Sequence, residues 1–362
     1  MKIVGKIIRI FAAGLMLLAL TACTSPQVRT VIVEETLDAG RMEVQNIYDN
    51  EEKMDKGYRR YLGFSNTNVL VVLEKKEQKT SLQLMDYKTG KMQSVMPAGA
   101  FGEISGASLI NAGRDVLIES VRGDSTDIGV INLASRKTRW AASYKTEDVL
   151  TYGSASGGQG KPAYVVREGD SLLLCVLDPE DLTFETMDLR SAIPAYVQPY
   201  LENARVESAF IMGDMQLVAT VSDGAKGYIL LKNLGKDEEP VILGISSRKV
   251  SAGSEKIYYI NEEGSLCSFD LETNTESTIA AHVEDFCLSQ SSGRLAYSVR
   301  EDTAVRIFMR DVFKGRGILV DIRADVRGFL LNAEGNKIWI QHTEASKTGK
   351  RTQMTTVLEF AE

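Results

Sequence analysis

Short β-rich apolar runs recur along this chain at a nearly even pitch. They are Val69–Leu73, Val116–Ser120, Ala163–Val166, Leu217–Val221, Ile257–Ile260, Leu295–Val299 and Ile338–Gln341. Their starts lie 47, 47, 54, 40, 38 and 43 residues apart. Self-similarity at such a period marks a repeat architecture. Most units share an internal grammar. A first apolar strand ends in a polar turn, as in Phe286-Cys287-Leu288-Ser289 followed by Gln290-Ser291-Ser292-Gly293. The run named above follows. A second turn leads to a third strand, as in Ser265–Phe269 after Asn261-Glu262-Glu263-Gly264. That strand enters a tight polar turn, Asp270–Thr275, and a fourth short strand closes the unit. Asp86–Lys91 and Asn132–Lys137 hold the same place in earlier units. Gly, Asn and Asp suit these turns because tight hairpins require φ > 0.

Four short strands per period, with turn signals between them, predict an all-β fold: a β-propeller of seven four-stranded blades. Two β-sandwiches are the competing all-β arrangement. The third unit is the weakest. Its first strand, Val149–Tyr152, is parted from the second by a Gly- and Ser-rich stretch, 153–160. The last strand, Met354–Phe360, leaves no room for a fourth, so an N-terminal segment is expected to complete the last blade. The β-branched run Val31–Glu34 is the candidate, which sets the propeller domain at 31–362. Arg41–Arg60 reads as a short surface helix or a loop. Arg190–Ala204, interrupted by Pro194 and Pro199, reads as an insertion on the rim or face, or as a packed connection between blades.

The N-terminus carries a different signal. Lys2, Lys6 and Arg9 precede and overlap an apolar run from Ile7 to Leu20, and small residues follow at Ala22 and Cys23. That is the order of a secretory signal peptide, and the run is short for a membrane span. Leu20-Thr21-Ala22-Cys23 resembles the bacterial lipobox, whose Cys receives a diacylglycerol and becomes the mature N-terminus. The resemblance implies a signal peptide at 1–22, a lipidated tether at 23–30, and an extracytoplasmic protein held to the membrane through Cys23. Gln290–Tyr297 and Asn332–Trp339 are similar to the repeat of TolB-like and WD40-like bacterial propellers. There a Ser-Pro-Asp-Gly turn leads into an apolar and aromatic strand. Here Ser291 and Ala333 stand in place of Pro, and Ser292 and Glu334 in place of Asp. This resemblance covers about a third of the chain and implies a fold, not an activity.

Charge and chemistry narrow the function. The chain has 362 residues and a formal charge of −7; without the three positive charges of 1–22 it stands near −10. Bulk electrostatics therefore do not favour nucleic acid. Beyond Cys23, the cysteines are Cys175, Cys267 and Cys287, all in strand-like contexts and read as buried thiols, with a Cys267–Cys287 pair as the alternative. His282 and His342 lie in different units and lack zinc-motif spacing, so both read as structural. No Gly-x-Ser-x-Gly elbow occurs, and Gly157–Lys161 departs from a phosphate loop at Ala155 and Pro162. Asp124 with Asp127, and Asp321 with Asp325, lack calcium-loop spacing. No metal or cofactor is expected. The reading that follows is a non-catalytic binding or scaffold protein at the cell envelope, with a protein or polymer partner. The alternative is a glycan lyase or hydrolase with carboxylates in a central funnel.

Overall fold

The computed structural model describes residues 43–52, 57–77, 79–97, 99–150, 160–189, 205–213, 215–222, 226–289, 291–312, 314–345 and 351–361. Strand β1 is Val44–Glu51. A first sheet runs in chain order through β2 (Tyr58–Phe64), β3 (Leu70–Lys76), β4 (Lys79–Asp86) and β5 (Lys91–Met96). A second runs through β6 (Glu103–Ile110), β7 (Asp115–Arg122), β8 (Ser125–Asn132) and β9 (Thr138–Lys145). The next strands form one ten-stranded sheet. They are β10 (Lys161–Glu168), β11 (Ser171–Leu177), β12 (Phe184–Asp188), β13 (Arg205–Met212), β14 (Gln216–Ser222) and β15 (Gly227–Asn233), followed by β16 (Val241–Ala252), β17 (Lys256–Asn261), β18 (Leu266–Asp270) and β19 (Thr275–Ala280). A further four-stranded sheet holds β20 (Val283–Leu288), β21 (Arg294–Glu301), β22 (Ala304–Asp311) and β23 (Lys314–Arg323). The last holds β24 (Val326–Leu331), β25 (Lys337–Ala345) and β26 (Arg351–Phe360), with β1 at its edge. The seven apolar runs of the sequence fall in β3, β7, β10, β14, β17, β21 and β25.

The ten-stranded sheet is three units run together, for two local reasons. Strand β16 pairs through Val241–Ile245 with β15 and through Val250–Ala252 with β17, with a register break between. One strand thus ends one unit and begins the next. In the third unit the described part of the expected first strand, Val149 and Leu150, makes the Val149–Val166 bridge and a Leu150 N–H bond to Val165 O of 2.8 Å. Residues 151–159 and 190–204, which include the glycine-rich stretch and the proline-containing insertion, lie outside the described residues. The start of β10, Lys161–Ala163, also pairs directly with β13, which joins the third unit to the fourth.

Strand pleating sends alternate side chains to opposite faces, and here both faces are apolar. Among the described residues the apolar clusters each join two successive units. Val71 and Leu73 meet Leu109 and Val116; Leu117 and Ile128 meet Tyr164 and Cys175; Val165 and Leu174 meet Ala209 and Leu217. Phe210 and Ile229 meet Ile257 and Tyr259; Ile260 and Leu266 meet Phe286 and Leu295; Ile307 and Met309 meet Phe329 and Ile338. A further cluster joins the last sheet to the first, with Trp339 and Val357 against Tyr61, Leu70 and Val72. Tyr61 and Trp339 lie ring on ring, centroids 4.2 Å apart.

At the ends of the third strands β4, β8, β11 and β18 an Asp or Asn side chain caps the turn that follows. Asp86 Oδ1 accepts from Lys88 N, Asn132 Oδ1 from Ser135 N, Asp178 Oδ1 from Glu180 N, and Asp270 Oδ1 from Thr273 N, all at 2.8–2.9 Å. Such Asx turns are why short polar residues occupy these positions.

The segment beside the last strand differs from the sequence expectation. The place next to β26 is taken by β1, Val44–Glu51, in an antiparallel ladder from Val44–Phe360 to Glu51–Met354. Val31–Glu34 is therefore not that strand, and it lies outside the described residues. The described part of Arg41–Arg60 holds β1 and the start of β2 in place of the expected short helix or loop. Polar contacts tie β1 to both neighbours. Asn50 Nδ2 donates to Tyr87 O at 2.7 Å, and Gln341 Nε2 donates to Glu52 at 2.9 Å. Glu359 on β26 accepts from Tyr87 Oη at 2.6 Å and Asn46 Nδ2 at 3.1 Å, with Lys88 Nζ 3.6 Å away. Burial acts to raise the Glu359 carboxyl, but the bonds from Tyr87 and Asn46 and the nearby Lys88 and Lys337 outweigh it and hold the carboxyl below its usual value.

Two outcomes are expected. Removing residues 1–43 leaves thermal unfolding unchanged, whereas removal through Glu51 lowers the melting temperature on the order of 5–10 °C, read by circular dichroism. A carboxylate with a lowered folded pKa stabilises above the unfolded pKa, and that contribution is lost as pH falls through the folded value. The melting gap between the native chain and Glu359→Gln is therefore full at about pH 6 and closes as pH drops below 4.5.

Candidate functional site

The structure gives the sequence candidates mostly structural work. His282 is exposed in a turn with φ 56°. His342 is fully buried, its Nε2 2.9 Å from Thr356 Oγ1. Thr356 gives its one proton to Asp49 at 2.6 Å, so His342 donates from Nε2. Nearby, Arg323 holds Asp321 at 2.8 Å and Glu344 at 3.3 Å. This network knits β23, β25, β26 and β1. Cys175, Cys267 and Cys287 are free and buried, so Cys267 and Cys287 are not paired. Burial pushes the Cys287 thiol up to about 12; burial and the nearby Glu276 push Cys267 to about 11. Asp127 accepts from Ser143 at 2.6 Å and faces Arg122 at 3.5 Å. Among the described residues no group of three or more His, Cys, Asp or Glu is placed to hold a metal. Cys23 lies outside the described residues.

One recess, of about 460 Å³, gathers groups that the sequence keeps apart. Its walls are the β6–β7 turn (Asn111, Arg114, Asp115), the β8–β9 turn (Asn132, Ser135, Lys137, Arg139) and Glu180 of the third unit. In a meander, alternate turns fall at the same end of the sheet. The first and third turns of the second unit therefore meet there, beside the third turn of its neighbour.

The floor is fixed. Asp115 is 7% exposed and accepts from Asn111 Nδ2 at 2.8 Å and from Asn132 Nδ2 at 2.7 Å. The Asn111-Ala112-Gly113 turn runs through three left-handed residues, φ 52°, 51° and 78°. Gly113 is required twice, by its φ and because a Cβ would meet Phe64 O at 2.8 Å. Asn66 N–H bonds Gly113 O at 3.0 Å, and Leu133 N–H bonds Arg114 O at 3.1 Å, so both neighbouring turns brace the wall. Backbone held in such a region persists only where its surroundings over-determine it.

The rim is cationic. Arg114 Nε donates to Asn111 O at 3.3 Å, and its guanidinium lies 3.7 Å from Glu180 Oε1. Arg139 donates one N–H to Glu180 O at 3.1 Å. Lys137 is exposed beside them. The site is hidden in the sequence because its residues come from separate turns. Asn-Ala-Gly-Arg at 111–114 and Ser-Arg-Lys-Thr-Arg at 135–139 were its visible traces.

No protein-family model matches the chain. A segment is 27% identical to the LEC14B protein of Lithospermum erythrorhizon, covering 37% of this chain and 32% of that protein. Among solved structures, the chain is similar to an uncharacterized protein of Listeria monocytogenes EGD-e, with TM-score 0.55, 14% identity, and 85% and 96% of the two chains covered. It is similar also to the β-propeller domain of the Trilobed protease from Pyrococcus furiosus, described as having an open velcro topology (TM-score 0.52, 12% identity, 83% and 95% covered). A third similarity is to the Pyrococcus horikoshii acylaminoacyl peptidase (TM-score 0.52, 13% identity, 82% of this chain), where the chain spans 52% of that enzyme. At these identities the likeness carries the fold alone, and that fold is a β-propeller.

Burial of the thiols has a direct readout. In a Cys23→Ser variant, a thiol reagent such as DTNB is expected to find almost no reactive cysteine in the native protein and all three remaining thiols in guanidinium.

Proposed function

We propose that this chain is a lipid-anchored, extracytoplasmic β-propeller that binds a partner at the cell envelope without transforming it. The observation that carries the binding reading is how the charged groups are used. Carboxylates on or beside the first strands of the units face cations: Glu74 with Arg59 at 3.0 Å, Asp285 with Lys249 at 2.9 Å, and Glu284 with Arg300 at 2.6 Å. A carboxylate locked to a cation is a poor general acid. The recess at the second and third units instead holds cations whose donors are largely open. A rigid sheet scaffold with chemistry on its turns is suited to recognition.

Seven four-stranded blades are part of the proposal. The succession of clusters supports it, since each unit meets the next and the last meets the first. Contacts between the first strands β16–β20, β20–β24, β24–β2 and β2–β6 support it also. The pairing of β1 with β26 would then close the ring. On this proposal the tether is longer than the 23–30 expected from the sequence. From Cys23 to β1 it holds roughly twenty residues, with a reach of about 70 Å at most, at about 3.3–3.6 Å per residue.

Two measurements test this. Cells fed an alkyne fatty acid are expected to label the chain, and Cys23→Ala is expected to abolish both the label and partition into detergent. Crosslinking in cells is expected to capture one envelope partner reproducibly. Turnover of a glycan by the purified chain, lost on substituting Asp285, would instead favour the glycan-active reading.

A further inference from the structure

We infer that the recess between the second and third units is a binding site for an oxyanion, a carboxylate or phosphate group carried by a small ligand. This rests on the reading of the chain as a binding protein and names the chemistry of one of its surfaces.

Three cations, Arg114, Lys137 and Arg139, face two carboxylates, Asp115 and Glu180. Asp115 already accepts an amide proton on each oxygen, which fixes it as the floor rather than as a partner for the rim. Glu180 is the only acid left to the cations. It is largely exposed, with its side chain 78% accessible, and touches Arg114 at 3.7 Å. A guanidinium has five N–H donors, of which Arg139 uses one on the Glu180 carbonyl and Arg114 uses Nε on the Asn111 carbonyl. The surplus is therefore positive, on a chain whose net charge is −7. Paired guanidinium forks with an ammonium beside them match the geometry of carboxylate and phosphate.

The geometry supports a site rather than a chance patch. A volume of about 460 Å³ lies within the usual range for small-ligand pockets, about 300–1,000 Å³. The wall that carries Arg114 is the left-handed turn braced by Asn66 of the first unit and by Leu133 of the second unit's own β8–β9 turn, so it need not be ordered when a ligand arrives. Glu180 comes from another unit, so the recess lies where two sheets abut. Glu180 sits where an anion would bind Arg114 and acts as an internal competitor.

That competition gives two variants of opposite sign. The full-length chain, in detergent at low salt and neutral pH, is titrated with citrate in one arm and with inorganic phosphate in the other, by calorimetry. Binding is expected in at least one arm; the stronger arm identifies carboxylate or phosphate as the preferred group. Lys137→Glu is expected to weaken it at least tenfold. Glu180→Gln is expected to tighten it about threefold or more, by releasing Arg114. Both variants should melt as the native chain does without anion, because both side chains are exposed. Failure of both anions to bind at 10 mM, on the order of the weakest useful affinities, would overturn the inference. So would equal affinity in Lys137→Glu. The two readings also separate. A crosslinked partner retained by Lys137→Glu, with no anion binding, removes the recess and leaves the binding protein. Anion binding with these variant effects, and no partner captured, does the reverse.

Discussion

The second strand of each unit carries apolar side chains on both faces, and that constrains everything else. In β3, Leu70 and Val72 point toward the last sheet while Val71 and Leu73 point toward the second. A four-stranded sheet of this kind cannot cover itself. Left alone it would expose two apolar surfaces, at about 25 cal/mol for each Å² kept from burial. Each unit therefore depends on two neighbours, and a linear stack would leave its end units half covered. The Tyr61–Trp339 contact and the β1–β26 ladder answer that problem, by bringing the chain's ends into the same packing as its middle.

The same constraint decides where chemistry can sit. Faces and inner strands are committed to packing, and the acids near them to ion pairs or buried networks such as Asp49–Thr356–His342. Turns are left for recognition. The recess occurs at the junction of the second and third units, where three turns from two sheets meet. Bracing by Asn66 and Leu133 shows how a loop wall becomes as fixed as a strand.

Much of the fold could be read from the residues. Alternation and turn chemistry located the second strand of every unit, because those strands are apolar on both faces and cannot be mistaken for surface. The capping Asp and Asn residues were legible for the same local reason. The N-terminal strand was not. Val31–Glu34 is richer in β-branched residues, but Val-Gln-Asn-Ile-Tyr-Asp-Asn-Glu at 44–51 forms the ladder, and its side chains are largely exposed at an edge. An edge strand is chosen by its polar partners, Glu359, Tyr87 and Gln341, which lie hundreds of residues or a full unit away. Fusion of the middle units was hidden too, since a twelve-residue strand serving two sheets reads as two short runs. The recess was illegible because three turns, distant in sequence, share one corner.

The described ends of the chain lie side by side: Ala361 N–H bonds Glu43 O at 2.9 Å. A short peptide joining them would disturb none of the ladders, and the chain could be opened instead at an exposed turn elsewhere, such as Gly123, with each sheet preserved. The order in which the units appear along the polypeptide is thus not dictated by their packing. Circular permutation would leave the architecture intact while moving the two chain ends to another turn of the sheets.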